Sequence, residues 1–131
     1  MSARSGQLSI RIPPDAAQVA AVRAFVGAVG RQVGCSEETI DDLRLVATEA
    51  CAQAIEDDAA FDGIEVRTAL SEEGRLVLEI EPTGAFDPPP EGSDGSSGSS
   101  TRRALIQGLF PDAEFDPARG VLRVGASAQH A

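Results

Sequence analysis

The strongest constraint on the fold is a pair of alternating segments joined by a short turn. In "GIEVRTAL", residues 63–70, one face of an extended strand collects Ile64, Val66, Thr68 and Leu70. The segment "RLVLEIE", residues 75–81, alternates in the same way, and "SEEG" between the two is typical of a tight turn. Together they predict a β-hairpin with one apolar face.

The segments before this hairpin predict one strand and two helices. "QLSIRI", residues 7–12, alternates as a strand. Asp15 can cap a first helix, in which apolar residues recur every three or four positions until Gly34, a natural helix end. Ser36 can cap a second helix, whose apolar stripe continues to about Asp57.

The segments after the hairpin complete the predicted fold. Residues 83–100, "TGAFDPPPEGSDGSSGSS", lack periodicity and are rich in Pro, Gly and Ser, which predicts a flexible, lid-like loop. A short helix at about 102–109 and two short strands, "AEFD" and "GVLRVGA", follow. Residues 1–131 are therefore expected to form a single α+β domain. We expect a two-layer sandwich, with a mainly antiparallel sheet of about five strands and helices on one face.

Composition narrows the possible partners and the compartment. A formal net charge of −10 argues against broad binding to nucleic acid or to anionic membranes, and favours a basic protein partner. The two cysteines, Cys35 and Cys51, do not make a disulfide framework. The first twelve residues contain no apolar signal core, so we expect the protein in the cytoplasm.

The second predicted helix carries the first candidate site. In "DDLRLVATEACAQAIEDD", residues 41–58, Glu49 and Gln53 lie one turn apart and share a face. A base and an oxygen ligand at this spacing can reach one metal–phosphate cluster, although any amphipathic helix also offers such a pair on its wet side. The run and the order of elements resemble the anti-sigma-factor serine kinases of the histidine-kinase-like (GHKL, Bergerat-fold) ATPase superfamily. That resemblance implies an E-A-x-x-N-A pattern, with Glu49 as general base and Gln53 in place of the Asn that holds Mg²⁺ on ATP.

A second box of the family follows its third strand, in the form D-x-G-x-G-F-D. Its Asp reads the adenine amino group, and its glycines let backbone approach the base. Here the box is "EPTGAFD", residues 81–87. Anchored on "FD", Glu81 takes the place of the Asp, while Thr83 and Ala85 take those of the glycines and Gly84 is out of register. An ordinary strand end and turn is the alternative.

The third family element is a lid that ends in a G-x-G-L pattern and holds phosphate on backbone N–H groups. The corresponding stretch here is roughly "TRRAL", residues 101–105. Arg102 and Arg103 at the start of a helix oppose its dipole, so a bound anion would relieve them. The alternative is a solvated linker with both arginines facing water.

Three functional hypotheses follow. The favoured one is an anti-sigma-factor-like regulatory protein that acts by partner switching on a sigma factor, a STAS-domain anti-anti-sigma protein or both. Its ATP and Mg²⁺ binding would be weak or absent, and the resemblance also implies a possible homodimer. The first alternative is an active kinase of that STAS-domain protein. The second alternative is an unrelated α+β binding domain.

Overall fold

The computed structural model describes residues 7–57, 62–84 and 97–128, with backbone only for 97–100. A 3₁₀ turn, Ala16–Gln18, precedes the first α-helix. The helices and strands, in chain order, are β1 (Leu8–Ile12), α1 (Val19–Val33), α2 (Glu37–Glu56), β2 (Gly63–Leu70), β3 (Arg75–Thr83), α3 (Ser97–Leu109), β4 (Glu114–Asp116) and β5 (Val121–Ser127). None of these helices is long and apolar enough to span a membrane.

The strands form one antiparallel five-stranded sheet in the order β1-β2-β3-β5-β4. Val66 pairs with Ile10 on one side and with Ile80 on the other, and Ile80 pairs with Leu122. This register aligns the apolar positions of four strands on one face, because side chains alternate between faces along every strand. The predicted hairpin and the α+β fold class are confirmed.

Gly34 and Ser36 set helix ends as the sequence predicts, whereas Asp15 caps the 3₁₀ turn before α1 rather than α1 itself. The Asp15 carboxylate accepts a hydrogen bond from the Ala17 N–H at 3.0 Å. Gly34 ends α1 with a φ of 91°, a left-handed conformation that glycine adopts without strain. The Ser36 hydroxyl accepts from the Thr39 N–H at 3.1 Å, which satisfies one of the unpaired donors at the start of α2.

The core lies between the apolar sheet face and the first two helices. Its fully buried side chains come from α1, α2, β2, β3 and β5, and include Val22, Val26, Ile40, Leu43, Val46, Ile64, Val66, Leu76, Leu78 and Val124. The opposite sheet face is charged: Arg67 there contacts Glu65, Glu79 and Glu81 at 3.0–3.1 Å. Helices and apolar strand positions thus share one side of the sheet.

Both ends of the predicted loop belong to regular elements instead. β3 continues to Thr83, and α3 begins at Ser97 rather than at about Arg102. The Gly/Ser composition concealed these helical residues, because it gives no apolar periodicity. Residues 85–96 lie outside the described part of the chain, so the flexible loop stays a prediction.

Candidate functional site

A cavity of about 220 Å³ lies between α2, α3 and the apolar sheet face. Its walls are apolar: Ala50 and Ala54 come from α2, Ile80 and Pro82 from β3, Ile106 from α3 and Leu122 from β5. Its polar lining is concentrated where the two helices face each other, and includes Glu49, Gln53, Arg102 and Arg103. An apolar cleft with a few convergent polar groups is the usual form of a small-molecule site.

Arg102 of α3 binds the cavity-facing side of α2. Its Nε donates to Glu49 Oε1 at 2.9 Å, and its Nη1 donates to Gln53 Oε1 at 3.1 Å. Nη1 and Nη2 also donate to the two carboxylate oxygens of Glu56 at 2.7 and 2.8 Å. The Gln53 amide in turn donates to Asp57 Oδ1 at 2.6 Å. The three acceptors of Arg102 stand on consecutive turns of α2, so they converge on one guanidinium.

The ion pairs around Arg102 are partly shielded from water. The side chains of Arg102 and Glu49 are 20% and 27% exposed, whereas Glu56 is 57% exposed. The hydrogen bond from Arg102 lowers the pKa of Glu56. The same bond raises the pKa of Arg102, against a smaller opposing effect of burial. One carboxylate oxygen of Glu49 therefore faces a permanent cation.

Glu56 is a member of this cluster that the sequence reasoning missed. It lies seven positions after Glu49 and three after Gln53, which places all three on one helical face. That spacing could have indicated Glu56. Helix spacing could not indicate its partner, because Arg102 lies 46 positions from Glu56 along the chain.

The structure corrects the predicted role of Glu81. Ile80 and Pro82 face the cavity, so the alternation of β3 turns Glu81 to the opposite face of the sheet. There its carboxylate accepts from Arg67 at 3.0 Å and from Arg119 at 2.9 Å. The prediction that Glu81 contacts a base in this cavity is therefore wrong. A shift of one residue in a strand exchanges the two faces, and the alignment on "FD" made that shift.

Pro82 holds the cavity-facing position at this end of β3. Its side chain has no hydrogen-bonding group, and its backbone has no N–H to donate. The cavity wall at this end of β3 is therefore hydrocarbon, next to Glu81, to which the resemblance assigned the reading of adenine.

Thr83 and Gly84 close the end of the strand rather than line the cavity. Thr83 Oγ1 donates to Asp62 Oδ1 at 2.8 Å, and the Asp62 N–H donates to the Thr83 carbonyl at 2.8 Å. Gly84 has a φ of 90°, and a Cβ there would lie 2.9 Å from Asp62 Oδ1. These predicted cofactor-binding residues therefore have structural contacts here, and Ala85 lies outside the described residues.

Arg103 lines the cavity beside Arg102 and packs over an aromatic ring. Its guanidinium carbon lies 4.4 Å from the ring centroid of Phe115, a cation–π arrangement. Since α3 begins at Ser97, neither arginine stands at the helix start, and the predicted unfavourable dipole contact does not arise. The water-facing alternative is wrong for Arg102, which is bound to α2.

The side chains as arranged do not fit Mg²⁺ held by Glu49 and Gln53. Within residues 7–57, 62–84 and 97–128, no group of three or more His, Cys, Asp or Glu is placed to hold a metal. The Gln53 amide oxygen and one Glu49 oxygen, which would be the ligands, both accept from Arg102. A metal bound to these two oxygens would lie beside the guanidinium, whose positive charge opposes it.

Comparisons with known proteins agree with the fold. The family model of the histidine kinase-like ATPase domain matches residues 12–124. A solved structure, that of the RsbU and RsbW domains of Rv1364c from Mycobacterium tuberculosis, is similar with a TM-score of 0.71 at 19% identity. The similarity covers 92% of this chain and 32% of that one. No curated protein sequence matches the chain.

The family match extends over most of the chain, from β1 to β5. It therefore includes the α2 face, the hairpin and α3, which together enclose the cavity. The alternative of an unrelated α+β domain is thereby removed. The chain belongs to the histidine kinase-like ATPase domain family.

Proposed function

We propose that this chain is an anti-sigma-factor-like regulatory protein that works by binding other proteins, with little or no kinase activity. Its partners would be a sigma factor, a STAS-domain anti-anti-sigma protein or both, met in the cytoplasm through partner switching. Family membership supports the fold for this role, and the structural similarity to a protein with an RsbW domain makes the anti-sigma type the first choice.

The observation that carries the proposal is the binding of Glu49 by Arg102. An active kinase of this type needs a general base that is free to approach a substrate hydroxyl. Glu49 instead accepts a 2.9 Å charge-assisted hydrogen bond from a permanently charged guanidinium. The hydrocarbon wall at Pro82 further weakens nucleotide binding, because the adenine edge would meet no hydrogen-bonding side chain there.

An active kinase remains the alternative, favoured by the fact that Glu49 and Gln53 both line the cavity. It requires Arg102 to swing away from α2 when ATP enters. Bound phosphate would then have to compensate Arg102 for the loss of two carboxylates. Both proposals predict binding to regulatory proteins and differ in whether phosphate is transferred.

The test is to mix the purified chain with candidate sigma factors and STAS-domain proteins from the same genome. Complexes are measured by size-exclusion chromatography with light scattering, once with Mg-ATP and once with EDTA. We expect a complex of similar affinity in both conditions, and no radiolabel transferred from ATP to the STAS-domain protein. Transfer that is lost in Glu49→Ala would establish the kinase, and absence of any complex would reject the anti-sigma role.

A further inference from the structure

One side chain binds three neighbouring acceptors on α2. Glu49, Gln53 and Glu56 contribute four oxygen contacts to Arg102, all between 2.7 and 3.1 Å. Two of the three acceptors are carboxylates, so a single positive charge meets two negative ones. The arrangement is a small, oxygen-lined cation site that a part of the chain itself fills.

The chemistry of these acceptors is that of a hard divalent cation. Carboxylate and amide oxygens are the ligands that Mg²⁺ and Mn²⁺ prefer. A guanidinium differs because its donors are fixed in a planar fork and its charge does not titrate in the accessible pH range. Once such a group donates to all three side chains, a dication that shared their oxygens would lie beside the guanidinium, and the like charges would repel each other.

We propose that Arg102 takes the place of a divalent cation in this site, so that the α2 face holds a guanidinium and binds no metal. The inference rests on the proposed function in one respect, namely that the Glu49–Gln53 face is the family's nucleotide position. It goes further by assigning to Arg102 the positive charge that the position requires.

Two consequences separate this role from that of an ordinary surface ion pair. Removing the guanidinium leaves Glu49 and Glu56 on one helical face without the cation that pairs with them, and a cation from solution is the natural replacement. Arg103, the next residue, provides a matched comparison. It lines the same cavity but packs on Phe115 instead of on these acceptors, so its removal should open no cation site.

The experiment uses Mn²⁺ alone as a paramagnetic probe, without nucleotide, on the full chain labelled with ¹⁵N. Broadening of the amide signals of residues 49–57 reports a cation bound at this face. We expect none in the unmodified chain or in Arg103→Ala at millimolar Mn²⁺. Arg102→Ala should show broadening with a Kd of about 1 mM, typical of a weak oxygen-ligand site, and at least about tenfold tighter than the unmodified chain. Adding Glu49→Gln to Arg102→Ala should remove the gain.

Broadening at α2 in the unmodified chain, lost in Glu49→Gln, would overturn the inference. An Arg102→Ala chain that remains folded by circular dichroism and shows no gain would also overturn it. If that variant does not fold, Arg102→Gln keeps a polar group of similar length and is held to the same expectation. The two proposals can fail separately, since Mn²⁺ binding at α2 in the unmodified chain refutes this inference and leaves the protein-binding role standing.

Discussion

At the scale of single residues, the site is decided by which face of β3 each side chain occupies. Glu81 and Pro82 are neighbours, yet one joins the charged face with Arg67 and the other forms the cavity wall. The sequence predicts the alternation of β3 correctly but does not state which of two adjacent residues meets a ligand. That choice depends on where the helices pack, which is a property of the folded chain.

Gly84 allows a direct test of the turn at the end of β3. Its φ of 90° and a Cβ position 2.9 Å from Asp62 Oδ1 predict strain from both conformation and contact in Gly84→Ala. We expect a loss of about 1–3 kcal/mol in the free energy of unfolding, measured by urea denaturation.

Gly74→Ala is the matched control for that substitution. Its φ is 79°, but a Cβ there meets nothing within 4 Å, so it carries the conformational strain alone. Gly84→Ala should therefore be the more destabilising of the two. Equal losses would show that the contact with Asp62 has no energetic weight.

The slow reaction expected of the Cys51 thiol is a second measurable property. Its side chain is fully buried in α2, and burial raises the pKa of its thiol to about 12. Because the thiolate is the reactive form, we expect native protein at pH 8 to react with Ellman's reagent only as fast as it unfolds. Cys35→Ser isolates this thiol, and rapid reaction of Cys51 in that variant under native conditions would contradict the burial.

At the scale of elements, α3 is held to α2 partly by charge. The pairing could not be predicted from sequence, because the Gly/Ser-rich start of α3 hid the helix and Arg102 lies 53 positions from Glu49. The α2 side of the contact was predictable, since spacing alone places Glu49 and Gln53 on one face.

The contact between α2 and α3 should weaken in acid. The hydrogen bond from Arg102 holds the pKa of Glu56 below its ordinary value of 4.5, so the folded state binds this proton less readily than the unfolded state. The stabilisation is therefore fully present above that ordinary value of 4.5 and is lost as the pH falls through the lower folded value. We expect hydrogen exchange of the α3 amides to accelerate over that interval.

Arg102→Ala is the control for the acid effect, because it removes the partner that shifts the Glu56 pKa. Its α3 amides should exchange faster than those of the unmodified chain at pH 7, and should change less on acidification. An unmodified α3 that is equally protected at pH 7 and below pH 4 would show that the ion pairs do not hold it.

At the scale of the whole molecule, the order of elements was predictable because strand alternation, helix periodicity and capping residues agree along the chain. The five strands and the helical layer on one sheet face follow from those local signals. The cavity was predictable in location, through α2, but not in chemistry. Its character depends on Pro82 and Arg102, and both positions are set by packing between elements distant in sequence.

We propose that this family member has lost a working Mg-ATP site, and calorimetric titration of the purified chain with Mg-ATP is the experiment that decides it. We expect a Kd no tighter than about 1 mM, since two losses of about 2 kcal/mol each lower the affinity of a micromolar site about thousandfold. Pro82→Asp combined with Arg102→Ala should tighten binding, because it puts a carboxylate on the cavity wall and frees Glu49. Glu81→Asp, on the opposite sheet face, should leave the affinity unchanged. A micromolar Kd in the unmodified chain, weakened by Glu49→Ala, would show instead that the Mg-ATP site works.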